Sequence, residues 1–274
     1  MPRVPTRLEL LFALGLAMAA LGFALVLVPT HDTDTYFQAR IPKPTFKGRQ
    51  RPVVLIDEAH ANRFTIDGPL QPLARLLRDD GYFVGPNLRL ITRDSLRGIA
   101  ALIIANPDAW LTTSAFSQSE IAALNTWLHN GGSLLLAIDP GPSQKAAAAL
   151  TSAFQVTFGP GHPTTEPQLL RRDAGQILPH PITDGGIRVE QVEQAMLFGW
   201  QSLTGPGRVF LQLPTGQPLA LAAEIGQGRI AILGNASMIT AQRRGLTPIG
   251  FNRGGNDNVR LALNLLHWLT HFIS

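Results

Sequence analysis

The sequence predicts an α/β domain with a mostly parallel sheet, carried behind one N-terminal transmembrane helix. Three observations support this: one long apolar run near the start, short continuous apolar segments alternating with amphipathic ones after residue 53, and glycine or proline at their boundaries. Buried strands that alternate with one-sided helices are typical of a parallel sheet covered by helices on both faces. We therefore divide the chain into an anchor (1–29), an extended basic linker (30–52) and one α/β domain (53–274).

The anchor is the apolar run from Leu8 to Val28, in which Glu9 lies at the edge. A helix of this length spans about 32 Å at about 1.5 Å per residue, close to the hydrocarbon thickness of a bilayer. The run is longer than the apolar core of a cleaved signal peptide, and no small-residue cleavage site follows it. We expect an uncleaved anchor in the inner (cytoplasmic) membrane, with the short basic N-terminus inside and the soluble domain periplasmic.

The linker combines prolines with basic side chains and has no amphipathic period, as an extended spacer does. Five of the chain's basic residues cluster in it: Arg40, Lys43, Lys47, Arg49 and Arg51. No aromatic residues alternate with them as base-stacking partners, so the basic composition does not indicate nucleic-acid binding. We expect this stretch to lie in solvent next to anionic lipid head groups.

Continuous apolar segments at residues 53–56, 101–105 and 133–138 predict strands buried on both faces. The first intervening helix is expected to begin at an Asp67 N-cap and to end at Gly81. The second is expected to begin with a capping box formed by Ser117 and Glu120, before the glycine pair at residues 131–132. Strands connected through helices in this way run parallel to one another.

The second half of the domain is less regular. Residues 159–217 are rich in glycine and proline, which predicts loops and short strands. Two apolar segments, 219–225 and 229–233, flank a glycine-rich turn and predict a hairpin. A final helix is expected from an Asp257 N-cap to Leu269, and polar residues interrupt it too often for it to span a bilayer.

Polar residues follow the first predicted strand at its carboxyl end, where open α/β sheets bind ligands. They are Asp57, Glu58, His60, Asn62 and Arg63. The letters Asp-Glu-Ala-His match a helicase motif, but the chain lacks the glycine-rich phosphate loop with its lysine that a helicase needs. Two interpretations of these residues remain open, a ligand-binding site and a loop whose polar side chains cap neighbouring backbone.

A second candidate site lies at Asp139, directly after the third buried strand. The succession of strand, capped helix, double glycine and strand-to-turn resembles the class I glutamine amidotransferase-like fold, a flavodoxin-like three-layer sandwich. That resemblance places Asp139 at the catalytic cysteine and Asn235 near the catalytic histidine. An aspartate does not replace a thiolate nucleophile, and an asparagine does not accept a proton. With no cysteine in the chain, we expect no amidotransferase activity.

The domain also resembles an uncharacterised bacterial family of membrane-anchored domains with this fold. The resemblance is carried by residues 56–64, 67–70 and 256–258 and by the Leu-Leu-His-Trp-Leu stretch at 265–269. It implies an envelope setting and, because members are often encoded beside MoxR-type AAA ATPases and von Willebrand A-like proteins, a partner of one of these kinds. Many members carry a second hydrophobic helix after the domain, and this sequence lacks one, which puts a shared topology in doubt.

These observations favour a non-catalytic binding or scaffold module in an envelope complex. The candidate ligand-binding residues are Asp57, Glu58, His60, Asn62, Arg63, Asp139 and Asn235. Two alternatives use the same cleft: a metal-assisted hydrolase and a sensor of small molecules or glycans. The sequence has no metal-binding spacing that would assign ligands, and it predicts no catalytic residue and no cofactor.

Overall fold

The computed structural model describes residues 31–48, 51–109, 114–162, 167–194 and 199–274. The predicted membrane segment from Leu8 to Val28 lies outside these ranges. The described strands, in chain order, are β1 (His31–Thr33), β2 (Val53–Asp57), β3 (Phe83–Asn87), β4 (Ala101–Ala105), β5 (Ser133–Ala137), β6 (Thr157–His162), β7 (Gln168–Arg171), β8 (Gln191–Gln194), β9 (Trp200–Thr204), β10 (Arg208–Gln212), β11 (Pro218–Ile225), β12 (Gly228–Leu233), β13 (Ala241–Arg244) and β14 (Thr247–Gly250).

The described helices are α1 (Gln71–Asp79), α2 (Gln118–His129), α3 (Pro142–Ala146), α4 (Ala148–Ala153), α5 (Pro181–Asp184) and α6 (Asn258–Leu269), with a 3₁₀ helix at Ala236–Ile239. None of the helices within the described ranges has the length and apolar character needed to cross a membrane. The irregular middle of the domain contains short strands, as its composition predicts.

The core is a seven-stranded sheet in the order β10-β11-β12-β5-β4-β2-β3. The five strands from β12 to β3 are parallel, and β11 and β10 add antiparallel strands at one edge. The predicted hairpin is the β11–β12 pair, and β3 was not predicted. This mainly parallel sheet confirms the predicted α/β class.

Helices cover both faces of the sheet and make three layers. The leucine stripe of α1, including Leu73 and Leu77, joins Leu261 and Leu265 of α6 in one buried apolar cluster. On the other face, Leu124 of α2 belongs to a second cluster that also takes in α4. The strands between them are β4 and β5, whose side chains are buried throughout because each face is covered.

The start of α1 differs from the prediction. The helix begins at Gln71, with Leu70 at its N-cap, and not at Asp67. Backbone hydrogen bonds from Gly68 and Leu70 to the carbonyl of Thr65 form tight turns first. The segment therefore uses Asp67 and the following glycine in a turn, which their composition also favours.

The predicted capping box of α2 is present. The Ser117 hydroxyl accepts a hydrogen bond from the backbone N–H of Glu120, and the Glu120 carboxylate accepts one from the backbone N–H of Ser117. These bonds satisfy two donors that a helix start leaves unpaired.

We expect Ser117→Ala to lower the free energy of unfolding by about 0.5–2 kcal/mol, because an alanine N-cap accepts no hydrogen bond. Urea denaturation of the purified chain measures this loss. Gln118→Ala is the matched control, since Gln118 is exposed in the same first turn and is not the capping residue. Equal losses in the two variants would contradict the capping role.

Segment 31–48 has little regular secondary structure, yet it packs against the domain. β1 pairs with β13, the backbone N–H of Thr45 donates to Asp80 at 2.9 Å, and the Phe46 ring lies 4.6 Å from that of Tyr82. Residues 31–48 of the predicted extended linker therefore lie against the domain. The apolar side chains of this segment pack against the core, but they do not recur at a helical or strand period, so no sequence pattern predicts these contacts.

Candidate functional site

The carboxyl ends of four parallel strands bring the candidate residues to one edge of the sheet. Asp57 ends β2, Asn106 follows β4, Asp139 follows β5 and Asn235 follows β12. All four side chains are buried. Because parallel strands end at a common edge, residues far apart in sequence lie side by side here.

His60 lies between two carboxylates. Its Nδ1 is 2.7 Å from Asp57 Oδ2, and its Nε2 is 2.8 Å from Glu120 Oε1. The Asn87 amide donates to the other oxygen of Asp57 at 2.9 Å, and the ring of Phe116 lies 4.2 Å from the imidazole. These residues form a buried network that joins the ends of β2 and β3 to the start of α2.

The two carboxylates determine the charge of His60. A neutral imidazole donates from only one nitrogen, so donation to both carboxylates requires the protonated ring. Burial by itself would lower the pKa of His60, but the hydrogen bonds and charges of Asp57 and then Glu120 outweigh it and raise that pKa. The arrangement therefore favours the protonated imidazolium, whose charge the two carboxylates would neutralise.

Glu120 serves the helix cap and the network at once. Burial opposes its charge, but hydrogen bonds from the backbone and hydroxyl of Ser117, then from His60 and the backbone of Ile91, lower its pKa. The sequence pattern indicates Glu120 only as part of a capping box, and no pattern indicates Asn87 or Asn106. A role for Glu120 in the site could have been inferred from its position at the start of a helix that packs beside the edge of the sheet.

Asp139 belongs to a separate buried network. One carboxylate oxygen accepts from the Asn106 amide at 2.6 Å, and the other accepts from the backbone N–H of Ala236 at 2.7 Å. The backbone N–H of Asp139 in turn donates to the Asn106 carbonyl oxygen at 2.7 Å. Burial raises the pKa of Asp139 to about 6, although Ala236, Asn106 and the charge of Arg63 oppose that shift.

The pKa of Asp139 has a consequence for stability. The folded state binds this proton below about pH 6, whereas the unfolded chain binds it only near 3.8. Stability relative to Asp139→Asn should therefore increase as the pH falls from 7 to 5, by up to about 1.4 kcal/mol per unit. Urea denaturation of both proteins across this range measures the slope. Parallel stability curves would contradict the raised pKa.

The remaining candidates support the backbone or lie beside these networks. The Glu58 carboxylate accepts from the backbone N–H of Ile66, and Asn62 bonds to the backbone of His60 and to the carbonyl of Ala105. The Asn235 amide donates to the carbonyl of Gly199 at 2.5 Å. Arg63 acts on Asp139 by its charge. The structure thus assembles two networks, and Glu58 belongs to neither.

The polar side chains of this site are already hydrogen-bonded to one another or to the backbone, which limits the chemistry that they can perform. Both nitrogens of His60 face carboxylates, so neither offers a lone pair to a metal ion. Within the described ranges, no group of three histidine or acidic residues is arranged to hold a metal. Two cavities of about 790 and 540 Å³ lie elsewhere, one beside Trp127 and the other between residues 40–45 and α6.

Comparison with known proteins gives likeness at the level of structure. No family model and no curated protein matches the sequence. Among solved structures, the mmIFT52 N-terminal domain matches with a TM-score of 0.61 and 17% identity, covering 80% of this chain and 97% of that one. A cytoplasmic protein of Salmonella typhimurium matches with a TM-score of 0.52 and 14% identity, covering 80% and 98%.

A GMP synthase-like protein of Thermoplasma acidophilum matches with a TM-score of 0.51 and 9% identity, covering 82% of this chain and 97% of that one. At such identities the likeness establishes the fold alone. The described domain has a mixed α/β fold with a mainly parallel central sheet, which fits an amidotransferase-like sandwich.

Proposed function

We propose that this chain is a membrane-tethered amidotransferase-like domain that binds a partner in an envelope complex and catalyses no reaction. The observation that carries the proposal is Asp139. It occupies the position where the resemblance places a cysteine nucleophile, and it is only 1% exposed, with both oxygens hydrogen-bonded. A nucleophile needs an accessible electron pair, and this side chain uses its own to hold two loops together.

The neighbouring groups support the same conclusion. A general base must accept a proton, and both ring nitrogens of His60 lie within 2.8 Å of a carboxylate oxygen, which raises the pKa of His60 and favours its protonated form. Asn235, near the position of the catalytic histidine, has an amide that does not accept a proton at neutral pH. The network instead has the features of a buried structural support, with each charge matched by an opposite charge or a donor.

The tether and the partner come from the sequence. The apolar run from Leu8 to Val28 is the proposed anchor, with the domain on the periplasmic side of the inner membrane. The family resemblance suggests a MoxR-type AAA ATPase or a von Willebrand A-like protein as the partner. A surface module that positions such a protein at the membrane needs a stable fold and no open catalytic cleft.

The proposal is tested by photocrosslinking in intact cells. A photoreactive amino acid replaces Leu88 or Ile187 of the full chain, two exposed positions whose replacement leaves the core intact. We expect at least one position to give a reproducible adduct, identified by mass spectrometry, that is missing without irradiation. The absence of any reproducible adduct at both positions would count against a binding module.

A second arm tests the absence of catalysis. Purified full-length chain is incubated with glutamine, and ammonia is measured against a sample without protein. We expect no release above that background. Release that Asp139→Asn abolishes would overturn the non-catalytic part of the proposal and leave the binding part to the crosslinking result.

A further inference from the structure

The β13–β14 hairpin exposes an apolar residue at its tip. The two strands are joined by Gly245 and Leu246, and Gly245 has a φ of +58° that allows the tight turn. The Leu246 side chain is 94% exposed, more than any other large apolar side chain among the described residues. No packing requirement of the domain explains a leucine at this position.

The register of β1 places this tip beside the N-terminal part of the chain. β1 is antiparallel to β13, with His31 opposite Arg244 and Thr33 opposite Gln242. Going backwards along the chain from Thr33 to His31 therefore leads towards the turn. His31, the first described residue, therefore lies beside the end of the hairpin that carries Leu246.

Chain length then limits the distance to the predicted anchor. The apolar run ends at Val28, three residues before His31. An extended chain covers at most about 3.3–3.6 Å per residue, so this connection spans no more than about 11 Å. An anchor in the bilayer would hold His31 within that range of the membrane surface and would bring the neighbouring hairpin tip close to it.

We infer that the β13–β14 turn docks on the bilayer surface and inserts Leu246 among the lipid head groups. This inference rests on the proposed membrane tether. The side chain would move from water to the boundary of the acyl chains, and Arg244, just before the turn, would lie at the level of the lipid phosphates, whereas Arg243 is paired with Asp34. Apolar and basic groups combined in this way favour the interface of an anionic membrane.

The chain has no cysteine, so a single introduced thiol can be labelled uniquely. Full-length Leu246→Cys carries an environment-sensitive fluorophore and is reconstituted into phosphatidylcholine–phosphatidylglycerol vesicles. Leu88→Cys, at a 69% exposed leucine after the edge strand β3, is the matched control. Each label is quenched by aqueous iodide and, separately, by a nitroxide attached to the lipid. Flotation of the vesicles reports the tether independently.

We expect the label at position 246 to be quenched by the lipid nitroxide and protected from iodide at least several-fold relative to position 88. If the chain floats with the vesicles but iodide reaches both labels equally, the docking inference fails and the tether stands. Protection from iodide without nitroxide quenching would mean that protein covers Leu246, which also overturns docking on lipid. A chain that does not float overturns the tether and the docking together.

Discussion

Replacing His60 with alanine is expected to lower the free energy of unfolding by about 3–5 kcal/mol, because removing one partner of a buried ion pair leaves uncompensated charge. Here two buried carboxylates, Asp57 and Glu120, would lose their shared cation. Neither is accessible enough to recover full hydration. Urea denaturation of both proteins, with circular dichroism as the readout, measures the difference.

His129→Ala is the control, because His129 is an exposed histidine at the end of α2. We expect it to change stability by less than about 1 kcal/mol, as exposed substitutions usually do. The pH dependence gives a further check. The folded pKa of His60 is raised, so its stabilisation is complete below about 6.5 and declines as the pH rises through that raised pKa. A loss below about 1 kcal/mol at neutral pH would contradict the buried imidazolium.

Replacing Gly228 with alanine is expected to have the second large effect, a loss of about 1–3 kcal/mol or more in the free energy of unfolding, because the closely packed backbone leaves no room for an added methyl group. A Cβ atom at this position would lie 2.0 Å from the carbonyl oxygen of Gly132 and 2.3 Å from that of Leu128. Gly228 begins β12, and this strand leads to Ala236, whose backbone N–H donates to the Asp139 carboxylate. The substitution should therefore disturb both the sheet and the Asp139 network.

Gly254→Ala is the matched control, because a Cβ atom there meets nothing within 4 Å and the backbone does not have positive φ. We expect this variant to unfold at the same temperature as the parent chain. Thermal unfolding of the two alanine variants side by side makes the comparison. Equal melting temperatures would show that β12 can shift to accept the methyl group.

The sequence predicts the elements whose physical cause is local. Ser117 and Glu120 lie three residues apart, so a capping box can be recognised without knowing the fold. The buried strands β4 and β5 are continuous apolar runs and are equally recognisable. β3 was missed because it contains a glycine and a proline and lies at the sheet edge, where only one face needs apolar side chains.

The candidate site is harder to predict because its contacts join distant positions. His60 and Glu120 are sixty positions apart, and Asn106 and Asp139 are thirty-three apart. Only the order of strands in the sheet brings them together. Asp57 and His60 can be recognised from the sequence as polar residues that follow a strand. Their hydrogen-bond partners, which also determine their charge, can be recognised only once the strands have assembled into the sheet.

The docking of segment 31–48 bears on how the chain is made. Asp34 bonds to Arg243, which is 209 positions later in the sequence. Ribosomes add about 5–20 residues per second, so Asp34 waits about 10–40 seconds for this partner to be synthesised. Through most of translation, β1 has no strand to pair with. The first described strand of the protein is therefore among the last to reach its final place.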